Sequence, residues 1–202
     1  MGCELGKLAA SERGGGRGGG GGDGGGGKDD IPAPPATDPR LPLTAKQKYT
    51  MLASWKGINR EMEATGVNMF IKLFEEHKEL LNLFEKFIAL QTREEQASSE
   101  ELQEHATKVM NTLDEGIRGL DDMDAFFSYL GQVGASHRRI NGFQSQYFWK
   151  IEGPFLKAVE QTLGDRYTAN VENIYKVTIK LIIQTLVDGF EGTGPAAGSA
   201  GS

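Results

Sequence analysis

Between residues 44 and 190 the apolar positions recur every three or four residues, the period of a buried α-helix face. A first helix is expected from Thr44, where Gln47 three positions on completes a capping box; it turns Leu52, Trp55 and Ile58 inward. A second begins near Ala64 and carries Val67, Phe70, Ile71 and Phe74. The run from Leu80 to Phe84 reads as a tight helical turn, and residues 88–98 as polar loop. A third long helix is expected behind Ser98 with Glu101, again a capping box, and bears Leu102, Ala106, Val109, Met110 and Leu113. Asp122 or Asp124 can cap the next, whose face is Phe126, Leu130 and Val133. Asn141-Gly142 marks a turn. Beyond it Phe148, Ile151, Phe155 and Val159 share one face, with a kink or break expected at Gly153-Pro154 because proline removes a hydrogen bond. The last helix opens at Thr168 and carries Val171, Ile174, Thr178, Ile182, Leu186 and Phe190. No stretch alternates with period two between turn signals, so the pattern argues against a sheet and for an all-α domain.

Two histidines interrupt this pattern. His105 lies within the apolar stripe of its helix, and His137 continues the series Phe126, Leu130, Val133. A single histidine on such a face is more often a core residue bonded to backbone. Here two fall in consecutive helices joined by a short connector from Gly116 to Asp122, and such helices tend to be neighbours. Two imidazoles aimed into one apolar core suggest a shared guest containing a metal. An iron porphyrin has an apolar rim and takes nitrogen ligands along its axis, so it fits this pair best. His77, in the charged stretch from Glu75 to Glu79, reads as a solvated helix-end residue.

Composition divides the chain into three parts. Residues 1–43 hold 14 of the 28 glycines in their first 27 positions and then a Pro-rich stretch, so they are expected to form a disordered tail. Residues 44–190 have the size of one domain with a proper core, and residues 191–202 form a short Gly/Ala/Ser tail. The net charge of −6 includes no basic stripe, which argues against a nucleic-acid partner. No apolar run approaches the length of a membrane span. The lone Cys3 can form no internal disulfide, which fits an intracellular setting. Neither a hydrolytic triad, a paired-carboxylate constellation, a phosphate loop nor a zinc-spaced cluster is evident, so a conventional hydrolase or transferase is not expected.

Residues 44–190 resemble a globin. Trp55 looks like the first-helix tryptophan of that family. Phe84 is similar to the phenylalanine that lies flat on the haem after the third helix, with Phe87 as its partner, and Phe70 to the second-helix residue over the distal pocket. The segment from His105 to Val109 resembles the distal motif, and Val133 to His137 the proximal one, which more often begins with Leu. The spacing of 32 between the histidines, with Lys108 beside Val109, is most like the neuroglobin branch. The start Met1-Gly2-Cys3 resembles the acylated globin X branch, although position 6 is glycine rather than Ser or Thr; Gly2 would take myristate and Cys3 palmitate.

The resemblance implies a globin fold of about seven to eight helices around a pocket for haem b (iron protoporphyrin IX). His137 would be the proximal ligand. His105 would be distal, either donating to dioxygen or another diatomic gas or binding the iron itself. Phe70, Phe84, Phe87, Val109, Val133 and Phe143 would line the pocket. Lys108 would sit at the rim near a propionate, and Arg138 and Arg139 would do the same from the proximal side or stay exposed. Three roles remain open: a gas-binding or gas-sensing haem protein, a redox protein held at the cytoplasmic face of the plasma membrane by its acylated terminus, and a haem-free interaction module. The electron donor is not legible from the chain.

Overall fold

A computed structural model describes residues 37–193, Glu85 excepted. Seven α-helices account for most of them, joined by short 3-10 turns, and there is no strand among the described residues. They are α1 (Ala45–Arg60), α2 (Met62–Glu76), α3 (Arg93–Ser98), α4 (Glu100–Arg118), α5 (Met123–Ser136), α6 (Glu152–Leu163) and α7 (Ala169–Glu191). Helix α1 starts as its sequence dictates: the Thr44 hydroxyl accepts from the Gln47 amide, and the Gln47 side chain accepts in return from the Thr44 N–H. Asp122 caps α5 by accepting from Ala125 N–H at 3.0 Å, and Thr168 caps α7.

Four features differ from the sequence reading. Residues 88–98 are not all loop: α3 occupies Arg93–Ser98 behind its own capping box, Thr92 with Glu95. Ser98 therefore ends α3, and the cap of α4 is Ser99, whose hydroxyl accepts from Leu102 N–H. The Gly153-Pro154 problem is solved by a change of helix type. A 3-10 stretch, Ser145–Ile151, hands over to α6 at Glu152, which puts Pro154 in the first α-turn. N–H groups there lack an intrahelical partner, so proline removes nothing. Finally, structure begins upstream of the boundary expected after residue 43. Leu41 and Leu43 are buried, and Arg40 pairs with Asp124 at 2.7 Å while lying over the Phe127 ring.

The two helices that carry the histidines are held by backbone-to-backbone crossings. Helix α2 crosses α4 at Gly66, where an added Cβ would come within 2.7 Å of Met110 Cγ and 3.1 Å of the Ala106 carbonyl. Helix α5 crosses α7 more tightly still. A Cβ on Gly134 would lie 2.0 Å from the Leu186 carbonyl oxygen, and one on Gly189 would lie 2.2 Å from that of Gly131. Only glycine permits this approach. The buried faces of α4 (Leu102, Ala106, Met110, Leu113, Ile117) and α5 (Met123, Phe126, Leu130) complete the core with α6 and α7.

Candidate functional site

Where α4 and α5 face each other the interior opens into a cavity of about 230 Å³. His105 enters it from α4 and His137 from the end of α5. The helical stripe on which each was predicted explains the convergence, since both faces point to the same apolar centre. His137 is the C-cap residue of α5, one position past its last helical residue.

The His137 ring is oriented from both sides. Its Nδ1 lies 2.8 Å from the Val133 carbonyl oxygen. A carbonyl can only accept, so Nδ1 carries the proton and Nε2 keeps its lone pair. The ring itself is wedged between Phe148 at 4.8 Å and Phe143 at 5.0 Å between centroids. Burial pushes its proton affinity down, with the Val133 bond opposing that shift.

His105 sits in a different environment. Phe70, Phe84 and Phe87 surround its ring edge-on, at 5.0, 5.1 and 5.8 Å. Among the described residues no protein group hydrogen-bonds it. Burial, with smaller contributions from Lys108 and His137, lowers its pKa to about 4. At neutral pH both imidazoles are therefore uncharged, the form in which nitrogen binds a metal.

Of the residues predicted for the site, Phe70, Phe84, His105, Lys108, Val109, Val133, His137 and Phe143 all line the cavity. Phe87 does not. It is buried, stacked on Phe84 at 5.0 Å with the ring planes 19° apart, and reaches the site through its edge-on contacts with His105. Lys108 is exposed at the rim. Arg138 and Arg139 are exposed, the second of the two alternatives, and the Arg138 guanidinium donates to the carbonyls of Phe190 and Gly189 at the end of α7. Gly2 and Cys3 lie outside the described residues. Sequence reasoning placed Phe148 and Phe155 on a buried face without assigning them to the cavity, and it missed Tyr147 and Met69 as cavity residues altogether. The signal available was the stripe at 148, 151 and 155, all three of which line it.

The site meets the requirements of a haem. Its walls are apolar and rich in aromatic rings. Two neutral imidazoles enter from α4 and α5, one with its outer nitrogen already satisfied and the other without a protein partner. A cation stands at the mouth.

Comparison with known proteins agrees. A sequence model of the globin family, described as Globin, matches residues 67–186. Neuroglobin of Dissostichus mawsoni is 31% identical over 146 residues, which is 70% of this chain and 91% of that protein. Cytoglobin-1 of Oryzias latipes is 27% identical over 134 residues, 66% of this chain and 76% of that protein. Among solved structures, a hexacoordinated heme protein from an anhydrobiotic tardigrade, crystallised at pH 4, superposes with a TM-score of 0.74 at 36% identity, covering 77% of this chain and 99% of that one. With its helical order and its facing histidines, this chain belongs to the globin family.

Proposed function

We propose that the chain binds one haem b between His105 and His137 and uses it to bind dioxygen or another diatomic gas. The observation that carries this reading is the pair of neutral imidazoles facing one apolar cavity from α4 and α5. When bound, the haem would supply an iron that takes nitrogen ligands and small gases. His137 would hold the iron permanently: its Nδ1–H is held by Val133, which keeps the ring in one tautomer and raises the basicity of Nε2. His105 would be the second protein group to hold the iron when no gas is present. Its ring is packed among Phe70, Phe84 and Phe87 with no hydrogen bond from the described residues, so packing alone would oppose a gas that competes for the iron. Gas binding is then reduced by the fraction of sites that His105 keeps closed. The hexacoordinated tardigrade protein, 36% identical, supports this arrangement. Phe70, Phe84 and Val109 exclude water from the distal side, and Lys108 stands where it can pair with a propionate.

The test is reconstitution of the purified chain with haem. The wild type is expected to take up one equivalent, and His137→Ala to lose stable uptake. Full retention with an unchanged spectrum in that variant would overturn the assignment of His137.

The residues Met1-Gly2-Cys3 favour a second element of this reading, attachment to the cytoplasmic face of a membrane. A single myristoyl chain holds weakly, so a second anchor is required, and palmitate on Cys3 supplies it. No helix among the described residues is long and apolar enough to cross a membrane. Tethering of this kind suits a redox role with an external electron donor. Fractionation of cells decides the point: Gly2→Ala is expected to release the protein to the soluble fraction, and a wild type found wholly there would refute the anchor.

A further inference from the structure

The end of α7 is bound to the His137 segment by contacts of three kinds. The first is the backbone crossing, where Gly134 sits against the Leu186 carbonyl and Gly189 against that of Gly131. Gly134 directly follows Val133, whose carbonyl holds His137 Nδ1. The second is Arg138, the next residue after His137. Its Nε and Nη2 donate to the carbonyls of Phe190 and Gly189. Carbonyls in the last turn of a helix have no partner within it and form the negative end of its dipole, so a guanidinium is well placed there. The third is Phe190, whose ring lies 5.7 Å from Phe143 and 6.1 Å from Phe148, the two rings that hold the imidazole of His137. Gly192, with φ of 74°, then ends the helix and passes 3.5 Å from the Arg138 guanidinium at its Cβ position.

These contacts converge on a single side chain from its backbone acceptor, its sequence neighbour and its aromatic walls. We infer that the final turn of α7 sets the orientation of the His137 ring, with Arg138 and Phe190 as positioning residues for the proximal ligand. The inference rests on the reading of His137 as that ligand. A rigid glycine crossing prevents α5 from sliding on α7, so the freedom left to His137 is rotation about its own side-chain bonds. Phe143 and Phe148 limit that rotation, and Phe190 limits theirs. Arg138 holds Phe190 at the correct height by its carbonyl.

The experiment uses the full chain, loaded with haem, in a His105→Leu background so that the ferrous iron keeps one protein ligand. The resonance Raman band of the iron–histidine stretch reports the orientation and strength of the His137 bond, which helix stability alone would not move. Arg138→Met, which removes two bonds to carbonyls, and Phe190→Leu, which removes an aromatic wall, are each expected to shift or broaden this band and to speed haem loss by roughly tenfold or more. Arg138→Lys keeps a donor for the carbonyls and is expected to restore most of the parent band. A band unchanged in position and width in both variants, whatever happens to their melting temperatures, overturns the inference. A parent protein with no iron–histidine band instead overturns the assignment of His137 as ligand.

Discussion

The indole nitrogen of Trp55 donates to the carboxylate of Asp114 at 2.8 Å, joining the middle of α1 to the last turns of α4 in the buried core. Asp114 also receives Arg118 at 2.8 Å, so its charge is paired as well as hydrogen-bonded. It lies nine residues beyond His105 on the same helix, and the bond therefore anchors the helix that carries the distal histidine.

Asp114→Asn is expected to cost about 1.5–3 kcal/mol of stability at pH 7, the range for a hydrogen bond to a charged group. The pH dependence follows from its titration. Burial acts to raise the carboxyl, but bonds from Trp55, Arg118 and Asn59 outweigh it and hold the group below its ordinary value of 3.8. A carboxylate with a depressed folded pKa stabilises above its unfolded pKa, and that stabilisation is lost as pH falls through the folded value. Urea titrations should thus show the gap between wild type and variant closing below about pH 4. A gap that persists undiminished in acid would assign the loss to shape rather than charge.

Gly134 and Gly131 make a matched pair. Gly134→Ala places a methyl 2.0 Å from the Leu186 carbonyl and must force α5 off α7, a strain of about 1–3 kcal/mol or more. Because Val133 moves with it, haem retention should fall too. Nothing lies within 4 Å of a Cβ on Gly131, so Gly131→Ala should be tolerated or stabilise by up to about 1 kcal/mol through helix propensity. Thermal melts of the two variants test the crossing, and equal effects would argue against it.

Phe84→Ala should loosen haem more than it unfolds the haem-free chain. The ring lines the cavity and is only half-buried by protein, so its removal should cost the fold less than the roughly 3–5 kcal/mol of a fully buried aromatic. Transfer of haem to an acceptor protein measures the rate. An unchanged rate would make Phe84 a core residue only.

The long amphipathic helices and both histidines were legible because burial of one face imposes a period, and a histidine that breaks the apolar pattern stands out. Eight of the cavity residues followed from the sequence, while others such as Met69, Leu73, Tyr147 and Ile183 did not. What escaped was decided by tertiary packing. Helix α3 is six residues long and, among its side chains, buries only Gln96, so no periodicity announces it and its one local signal was the Thr92–Glu95 capping box. Leu41 and Leu43 follow a Pro-rich stretch and belong to no helix, yet they are buried. The stacking of Phe87 on Phe84 depends on ring orientation, which spacing does not encode. Arg138 is adjacent to His137 in sequence, but its partners are the carbonyls of Gly189 and Phe190, some fifty residues away, and a helix end offers no side-chain signature.

The central claim is that both histidines would hold the iron of one haem when no gas is present. The absorption spectrum of the reconstituted ferrous protein, taken without added ligand and compared with His105→Leu, tests it most directly. A low-spin six-coordinate spectrum in the wild type that becomes five-coordinate in the variant is the predicted result; a wild type that is already five-coordinate, or that takes up no haem, would contradict it.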